Sequence, residues 1–291
     1  MKVLVAGSRG LIGSVVTRHL ASRGHEIVRL VRQEPSPGEV RWDPDADTID
    51  RDGLEGFDAA VDVASMPWPT RWTSAAKKRI YENRVRSYRL LAEALASRAR
   101  KPRVLVCASG QGIYSSSGDQ PLTEESPIGS DFLAGLQRDG EAATGPASAA
   151  GIRVVHLRIP SVIGGPSLAA MTGNLRPMGD GRQWWSWVAL DELPPIVDHV
   201  FATVTLVGPI NTVSPNPARE ADFVATLGRV VGRRPGRAMP AFMLRLAVGE
   251  MADALLLASR RIEPRRLLET GYEFRYPELE AALRHQLEAA T

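Results

Sequence analysis

The chain is poor in the residues that would fasten it covalently or to a metal. It holds a single cysteine, so no intrachain disulfide can form. Cys107 sits inside the apolar run Val104-Leu105-Val106-Cys107-Ala108, where it reads as a small buried hydrophobe and not as a reactive thiol. That usage suits a reducing, cytoplasmic setting. His19, His25, His156, His199 and His285 are scattered at no spacing that ligates a metal, and no metal is expected. Long hydrophobic runs are missing too. None approaches the roughly 18 apolar residues of a membrane span, and the nearest candidate, Ala241 to Ala258, is broken by Arg245, Glu250 and Asp253. The N-terminal run meets Gly7 at once, too soon for a signal peptide. No charge sign dominates: 36 basic against 33 acidic residues leave a net +3. Arg98, Arg100, Lys101 and Arg103 cluster, as do Arg260, Arg261, Arg265 and Arg266. Without interleaved aromatics both clusters read as solvated helix faces, and no nucleic-acid partner is expected. No Gly-x-Ser-x-Gly elbow is present, which argues against an α/β-hydrolase.

What the chain does have is a globular balance, 44% hydrophobic and 24% charged, enough for a sizeable core. In the first half, short apolar runs alternate with helical periodicity. Val3 to Ala6 reads as a buried strand. Leu11, Ile12, Val15, Val16 and Leu20 then recur at helical spacing. Strands follow at Ile27–Val31, Ala59–Ala64, Val104–Ala108 and Ile152–Leu157. Thr73 can cap a helix running to about Ser97, and another helix spans about Asp131 to Ala143. The polar stretch Gln33 to Gly56 holds a small hairpin or a loop. Runs that are apolar throughout place both sheet faces under cover, so the fold class is α/β, a Rossmann-type doubly wound parallel sheet. After Pro160 glycine and proline are frequent. Helices are expected at about Asp191–Val204, Glu220–Val231, Ala241–Ser259 and Pro277–Glu288, giving a smaller, mainly helical C-terminal lobe. The division is residues 1–160, with parts of 187–213, for the nucleotide-binding domain and 161–291 for the substrate lobe.

Gly7-Ser8-Arg9-Gly10-Leu11-Ile12-Gly13 lies between the first strand and the first helix. There, backbone N–H groups and the helix dipole face a pyrophosphate. Gly7 permits the tight turn, Gly10 lets the phosphates approach, and Gly13 lets the helix pack on the strand. The second strand ends Leu30-Val31-Arg32-Gln33. An acidic residue at that place would hold the ribose 2′-hydroxyl of NAD. Arg32 instead can pair with a 2′-phosphate, and Arg9 can close on the same group, so NADP(H) is the expected cofactor.

With these features the sequence resembles the extended short-chain dehydrogenase/reductase superfamily. More narrowly it is similar to the atypical YfcH-like group, commonly labelled NAD-dependent epimerase/dehydratase family proteins. The resemblance runs along the whole chain. It includes Arg71-Trp72-Thr73 with Lys77, Arg84-Val85, Ser109 with Gly112-Ile113-Tyr114, Leu122 to Pro127, Asp131 to Ala134, Gly151 to Val154, Gly181 to Trp184 with Ser186-Trp187, and Ser214 to Pro217. A terminal segment at 238–287, with Pro240-Ala241-Phe242, Gly249 to Asp253, Pro264 to Leu268 and Gly271 to Pro277, resembles one peculiar to the group. The resemblance implies that Val63-Ala64-Ser65 runs beside the cofactor, that Ser109 faces its nicotinamide, and that Ile159, Pro160 and Val162 border the amide side. Ser65 departs from the usual glycine and Ala189 from a frequent histidine.

Superfamily enzymes use a Tyr-x-x-x-Lys pair with a serine, the tyrosine moving a proton while hydride moves on the nicotinamide. Here the pair falls on Leu133 and Gln137, or on Phe132 and Leu136, and neither frame can do that work. Ser109 and Tyr114 remain as catalytic candidates, the tyrosine from a different motif. For a substrate pocket, Arg182 and Trp185 offer a cation and an aromatic face, and Arg71 with Trp72 a second such pair. Strand alternation sends Trp185 and Trp187 to one face and Trp184 to the other. The expected function is NADP(H)-dependent, epimerase- or reductase-like work on a small hydroxylated, carbonyl or sugar-nucleotide substrate. The alternative is a non-catalytic NADP(H) sensor. A monomer or homodimer is expected.

Overall fold

The computed structural model describes residues 1–66 and 71–289. Its frame is an eight-stranded sheet. In chain order the strands are β1 (Lys2–Ala6), β2 (Glu26–Val31), β3 (Glu39–Asp43), β4 (Thr48–Ile49), β5 (Ala59–Asp62), β6 (Val104–Gly110), β7 (Arg153–Ile159) and β8 (Gly208–Asn211). Across the sheet the order is β8-β7-β6-β5-β1-β2-β3-β4, parallel throughout except for β4. The order reverses direction between β1 and β5, the switch point where an open α/β sheet leaves a crevice beyond its strand ends. The connecting helices are α1 (Leu11–Ser22), α2 (Ser74–Ala96) and α3 (Phe132–Ala143), followed by α4 (Gly165–Gly173), α5 (Leu193–Ala202), α6 (Glu220–Val230), α7 (Ala241–Val248) and α8 (Leu279–Glu288). Thr73 caps α2 by accepting the Ala76 N–H, and Asp131 caps α3 by accepting the Ala134 N–H.

Each strand sends alternate residues to opposite layers. Val3 and Val5 join Val16, Leu20, Ile196 and Val200 on one face of the sheet. Leu4 and Ala6 join Leu91, Leu95 and Trp42 on the other. A separate cluster around Trp187, Phe223, Leu227 and Leu283 forms the core of the helical lobe. Among the described residues no helix is long and apolar enough to cross a membrane.

The stretch from Gln33 to Gly56 does hold a hairpin, and its first strand also lengthens the parallel sheet: Leu30 pairs with Val40 and Val31 with Arg41. The single helix expected over Ala241–Ser259 is two pieces. Gly249 takes a left-handed φ of +63° and ends α7, and a short π-helical turn follows at Ala252–Leu256. The solvated-face reading fails for Arg260. It is buried, donating to the backbone carbonyls of Tyr114 and Ala254. Arg98 to Arg103 lie past the end of α2, where Arg98 satisfies the Ala94 and Arg51 carbonyls. Cys107 is buried, and desolvation pushes its thiol well above the ordinary range.

Candidate functional site

The crevice at the switch point is a cavity of about 510 Å³. Its floor is the turn from β1 into α1. Gly7 holds φ at +78°, and a Cβ there would meet the Ala64 nitrogen at 2.6 Å. At Gly13 a Cβ would stand 2.0 Å from the Gly7 carbonyl oxygen. Both glycines are therefore demanded by close backbone approach. Gly10 differs: its Cβ would meet only the Gly7 oxygen, at 3.3 Å, and would otherwise project into open space. Gly10 is also the N-cap of α1 and makes no side-chain cap bond, so the first-turn N–H groups are left for another acceptor.

Gly7, Ser8, Arg9, Gly10, Leu11 and Ile12 line the cavity from below. Leu30, Val31, Arg32 and Trp42 line it from β2 and β3, Ala64 and Ser65 from the end of β5, and Asn83 and Ser87 from α2. Arg9 pairs with Glu39 at 3.1 Å and Arg32 with Asp45 at 3.5 Å. Both guanidinium side chains are more than half exposed. The Arg32–Asp45 pair, exposed on both sides, contributes roughly 0–1 kcal/mol, so an anion arriving at Arg32 displaces little.

Gly13, Ser109, Ile159, Pro160 and Val162 do not line this cavity. Gly13 lies beneath the turn. Ile159 ends β7 opposite Gly110, and Val162 pairs with Val188 in a small parallel ladder. Ser109 stands one residue before the end of β6 with its side chain turned toward α3. Its hydroxyl donates to Glu141 at 2.6 Å, and Glu141 takes both arms of the buried Arg158 at 3.0 and 2.9 Å. Gln137 stands beside Ser109 and Gly110, while Leu133 is buried against Gly112. Of the two candidate frames, Leu133 and Gln137 therefore face the β6 end, and the chemistry of a Tyr/Lys pair is missing there.

Tyr114 is not poised for proton transfer. It is fully buried, donating to Asn211 Oδ1 at 2.7 Å and accepting from Arg158 at 2.8 Å. Burial pushes its pKa up to about 12. The substrate-pocket candidates also separate. Arg71 is spent on the Leu246 carbonyl, at 2.7 Å. Trp72 packs edge-on against Phe132 in a small apolar cluster with Ile80 and Leu136. Arg182 borders a surface groove with Arg219 and Arg245, whereas Trp185 lines a separate, mostly apolar pocket with Phe223 and Leu227. The expected alternation of the tryptophans holds: Trp185 and Trp187 enter the lobe core, and Trp184 turns outward under Arg219.

Two features near the cavity had weaker signals in the sequence. Asp62, a charge inside the run Ala59 to Ala64, is fully buried at the end of β5. One oxygen accepts the Ala64 N–H, the other has no hydrogen-bond partner among the described residues, and burial raises the pKa to about 6. Arg84, on α2, donates to the Tyr88 hydroxyl at 2.6 Å and lies 3.3 Å from the Ala108 carbonyl.

A parallel sheet with its glycine turn at the switch point defines a Rossmann-type α/β protein. The pattern of the NAD dependent epimerase/dehydratase family matches residues 3–206, and a domain of unknown function (DUF1731) matches residues 239–286. The chain belongs to the NAD dependent epimerase/dehydratase family. It is similar to the human epimerase family protein SDR39U1, with 33% identity over 98% of this chain and 99% of that protein. The crystal structure of isoform 2 of that human protein, with NADPH, superposes with a TM-score of 0.91 at 31% identity, covering 99% of both chains. A nucleoside-diphosphate sugar epimerase from Corynebacterium glutamicum gives a TM-score of 0.81 at 36% identity, covering 99% of this chain and 58% of that one.

Proposed function

We propose that the chain binds NADP(H) in the switch-point cavity and uses it in epimerase- or reductase-like chemistry on a small hydroxylated, carbonyl or sugar-nucleotide substrate. The observation that carries this reading is the pairing of an open Gly10 with Arg9 and Arg32 across the cavity mouth. The uncapped N-terminus of α1 suits a pyrophosphate, and the two guanidinium groups suit a ribose 2′-phosphate. NADPH in the human relative agrees with this. The bound cofactor would supply or accept hydride.

For the protein's own part, Ser109 is the polar side chain at the β6 end that can hydrogen-bond a substrate hydroxyl or carbonyl. Glu141, held by Arg158, accepts the Ser109 hydrogen bond and so fixes the hydroxyl with its lone pairs free for a substrate donor. A second reading is a non-catalytic NADP(H) sensor, favoured by Leu133 and Gln137 at the positions a Tyr/Lys pair would fill.

Titration with NADPH and NADH tests the cofactor assignment. Arg32→Ala is expected to weaken NADPH by about 1.5–3 kcal/mol, the scale of hydrogen bonds to charged groups, and to leave NADH nearly unchanged. Equal losses for both would remove the assignment. NADPH oxidation across a carbonyl panel, abolished by Ser109→Ala, supports the enzyme; tight binding with no turnover supports the sensor.

A further inference from the structure

A further pocket, of about 380 Å³, opens on the α1 side of the sheet beside the dinucleotide cleft. Ser8 and Arg9 belong to the walls of both. The other walls are Ser14, Thr17 and Arg18 from α1, Arg29 from β2 and Glu39 from β3. Strand alternation accounts for Arg29, a charge inside the apolar run Ile27 to Val31. Val28 and Leu30 enter the apolar layer on the far side of the sheet, which turns Arg29, like Ile27, toward α1. Ser14 and Arg18 stand four residues apart and so share one face of that helix.

The charges at this pocket do not balance. Three guanidinium groups, of Arg9, Arg18 and Arg29, meet the single carboxylate of Glu39. Glu39 is the register partner of Arg29 across β2 and β3, yet it is spent elsewhere. One of its oxygens takes Arg9 at 3.1 Å, and the other accepts the Ser36 N–H at 3.0 Å. Arg18 and Arg29 make neither an ion pair nor a side-chain hydrogen bond among the described residues. Arg29 is half-buried, so it gives up part of its hydration with no partner in return, an unfavourable state for a cation. The like charges also repel one another. An arriving anion relieves both costs. Three cations less one carboxylate leave two positive charges, the match of a phosphate dianion, and guanidinium forks suit its oxygens.

We infer that this pocket is a second anion site, one that takes a phosphate group, with Arg9 as the cation it shares with the cleft. Two sources carry that chemistry. One is the 2′-phosphate of NADPH itself, reaching past Arg9 to Arg29 and Arg18, and this source rests on the cofactor reading above. The other is a separate inorganic phosphate or phosphate ester, which does not.

The test uses the full chain. Equilibrium dialysis against radiolabelled inorganic phosphate is run at fixed ionic strength, with acetate as a competing monoanion, for wild type, Arg29→Gln and Arg18→Gln. Each protein is also titrated with NADPH and NADH. We expect saturable phosphate binding, weakened at least about tenfold by Arg29→Gln and about threefold by the more exposed Arg18→Gln. Acetate at equal concentration should displace little of it. If the phosphate is the cofactor's own, both substitutions weaken NADPH and spare NADH, and inorganic phosphate competes with NADPH alone. If it is a separate molecule, saturating phosphate and both substitutions leave the two nucleotides unaffected. Should Arg29→Gln not fold, Arg18→Gln, exposed on α1, still decides. Equal phosphate binding by all three proteins overturns the inference, as does displacement by equal acetate, or a lack of saturation joined to unchanged NADPH affinity in both variants. A wild-type chain that binds phosphate through Arg29 but neither nucleotide sinks the cofactor reading and leaves this one intact.

Discussion

Single side chains in this protein are shaped by what surrounds them more than by their type. Asp62 is the sharpest case. Its burial raises the carboxyl pKa from 3.8 to about 6. The folded protein therefore holds this proton more tightly than the unfolded chain does. The stability linked to that proton is fully present below the unfolded pKa and is lost as pH rises from about 4 through about 6. Asp62→Asn keeps an acceptor for the Ala64 N–H and cannot ionise. Urea denaturation at pH 5 and pH 8 is expected to show the stability difference between the two conditions shrinking by about 1–1.5 kcal/mol in the variant. An unchanged difference would locate the pH dependence elsewhere. Arg260 and Tyr114 show the same dependence on surroundings. One looked like surface charge and the other like chemistry, yet each is a buried hydrogen-bonding strut.

At the scale of elements, the β1–α1 turn divides its glycines between architecture and ligand. Gly13→Ala drives a methyl group to within 2.0 Å of the Gly7 oxygen, so the helix must back away from the strand. Gly10→Ala needs only a small shift of one neighbour. Gly13→Ala is expected to lower thermal stability by at least about 2 kcal/mol, as overpacking does. Gly10→Ala is expected to melt near wild type while losing at least about tenfold in NADPH affinity, since the methyl stands where the phosphates must approach. Melting curves and cofactor titration of the pair separate the two effects, and equal destabilisation would refute the division. The turn and the alternation of strands and helices around it were legible because apolar runs, glycine spacing and helix caps are local signals. The split of 241–259 was not, because apolar spacing continues through Gly249 and only its φ breaks the helix. Nor was the scatter of Arg71, Trp72, Arg182 and Trp185, because residues close in sequence here face different surroundings: Arg71 a backbone carbonyl, Trp72 an apolar cluster, Arg182 and Trp185 two different pockets.

At the scale of the whole molecule, the last stretch of chain is sewn into the first. Residues Arg261–Ile262 pair with Pro121–Leu122. Leu267 and Tyr272 enter the same apolar layer as Val3 and Val5. The carboxylate of Glu192, 1% exposed, accepts from the Tyr272 hydroxyl and from the Arg275 and Tyr276 backbone N–H groups, each of the latter at 3.0 Å. Glu192→Ala strands these donors and is expected to cost about 3 kcal/mol in denaturant unfolding. The loss should fall within one cooperative transition. Two separated transitions would mean that the terminal segment folds as an independent unit.

This stitching also has a consequence for biosynthesis. By the time Asn211 leaves the ribosome every strand of the main sheet has been made, yet part of one side of that sheet still waits for Leu267 and Tyr272. A nascent or prematurely stopped polypeptide therefore leaves bare the patch of that face that Leu267 and Tyr272 cover, the rest lying under α1 and α5, and is a natural client for holding chaperones and quality-control proteases.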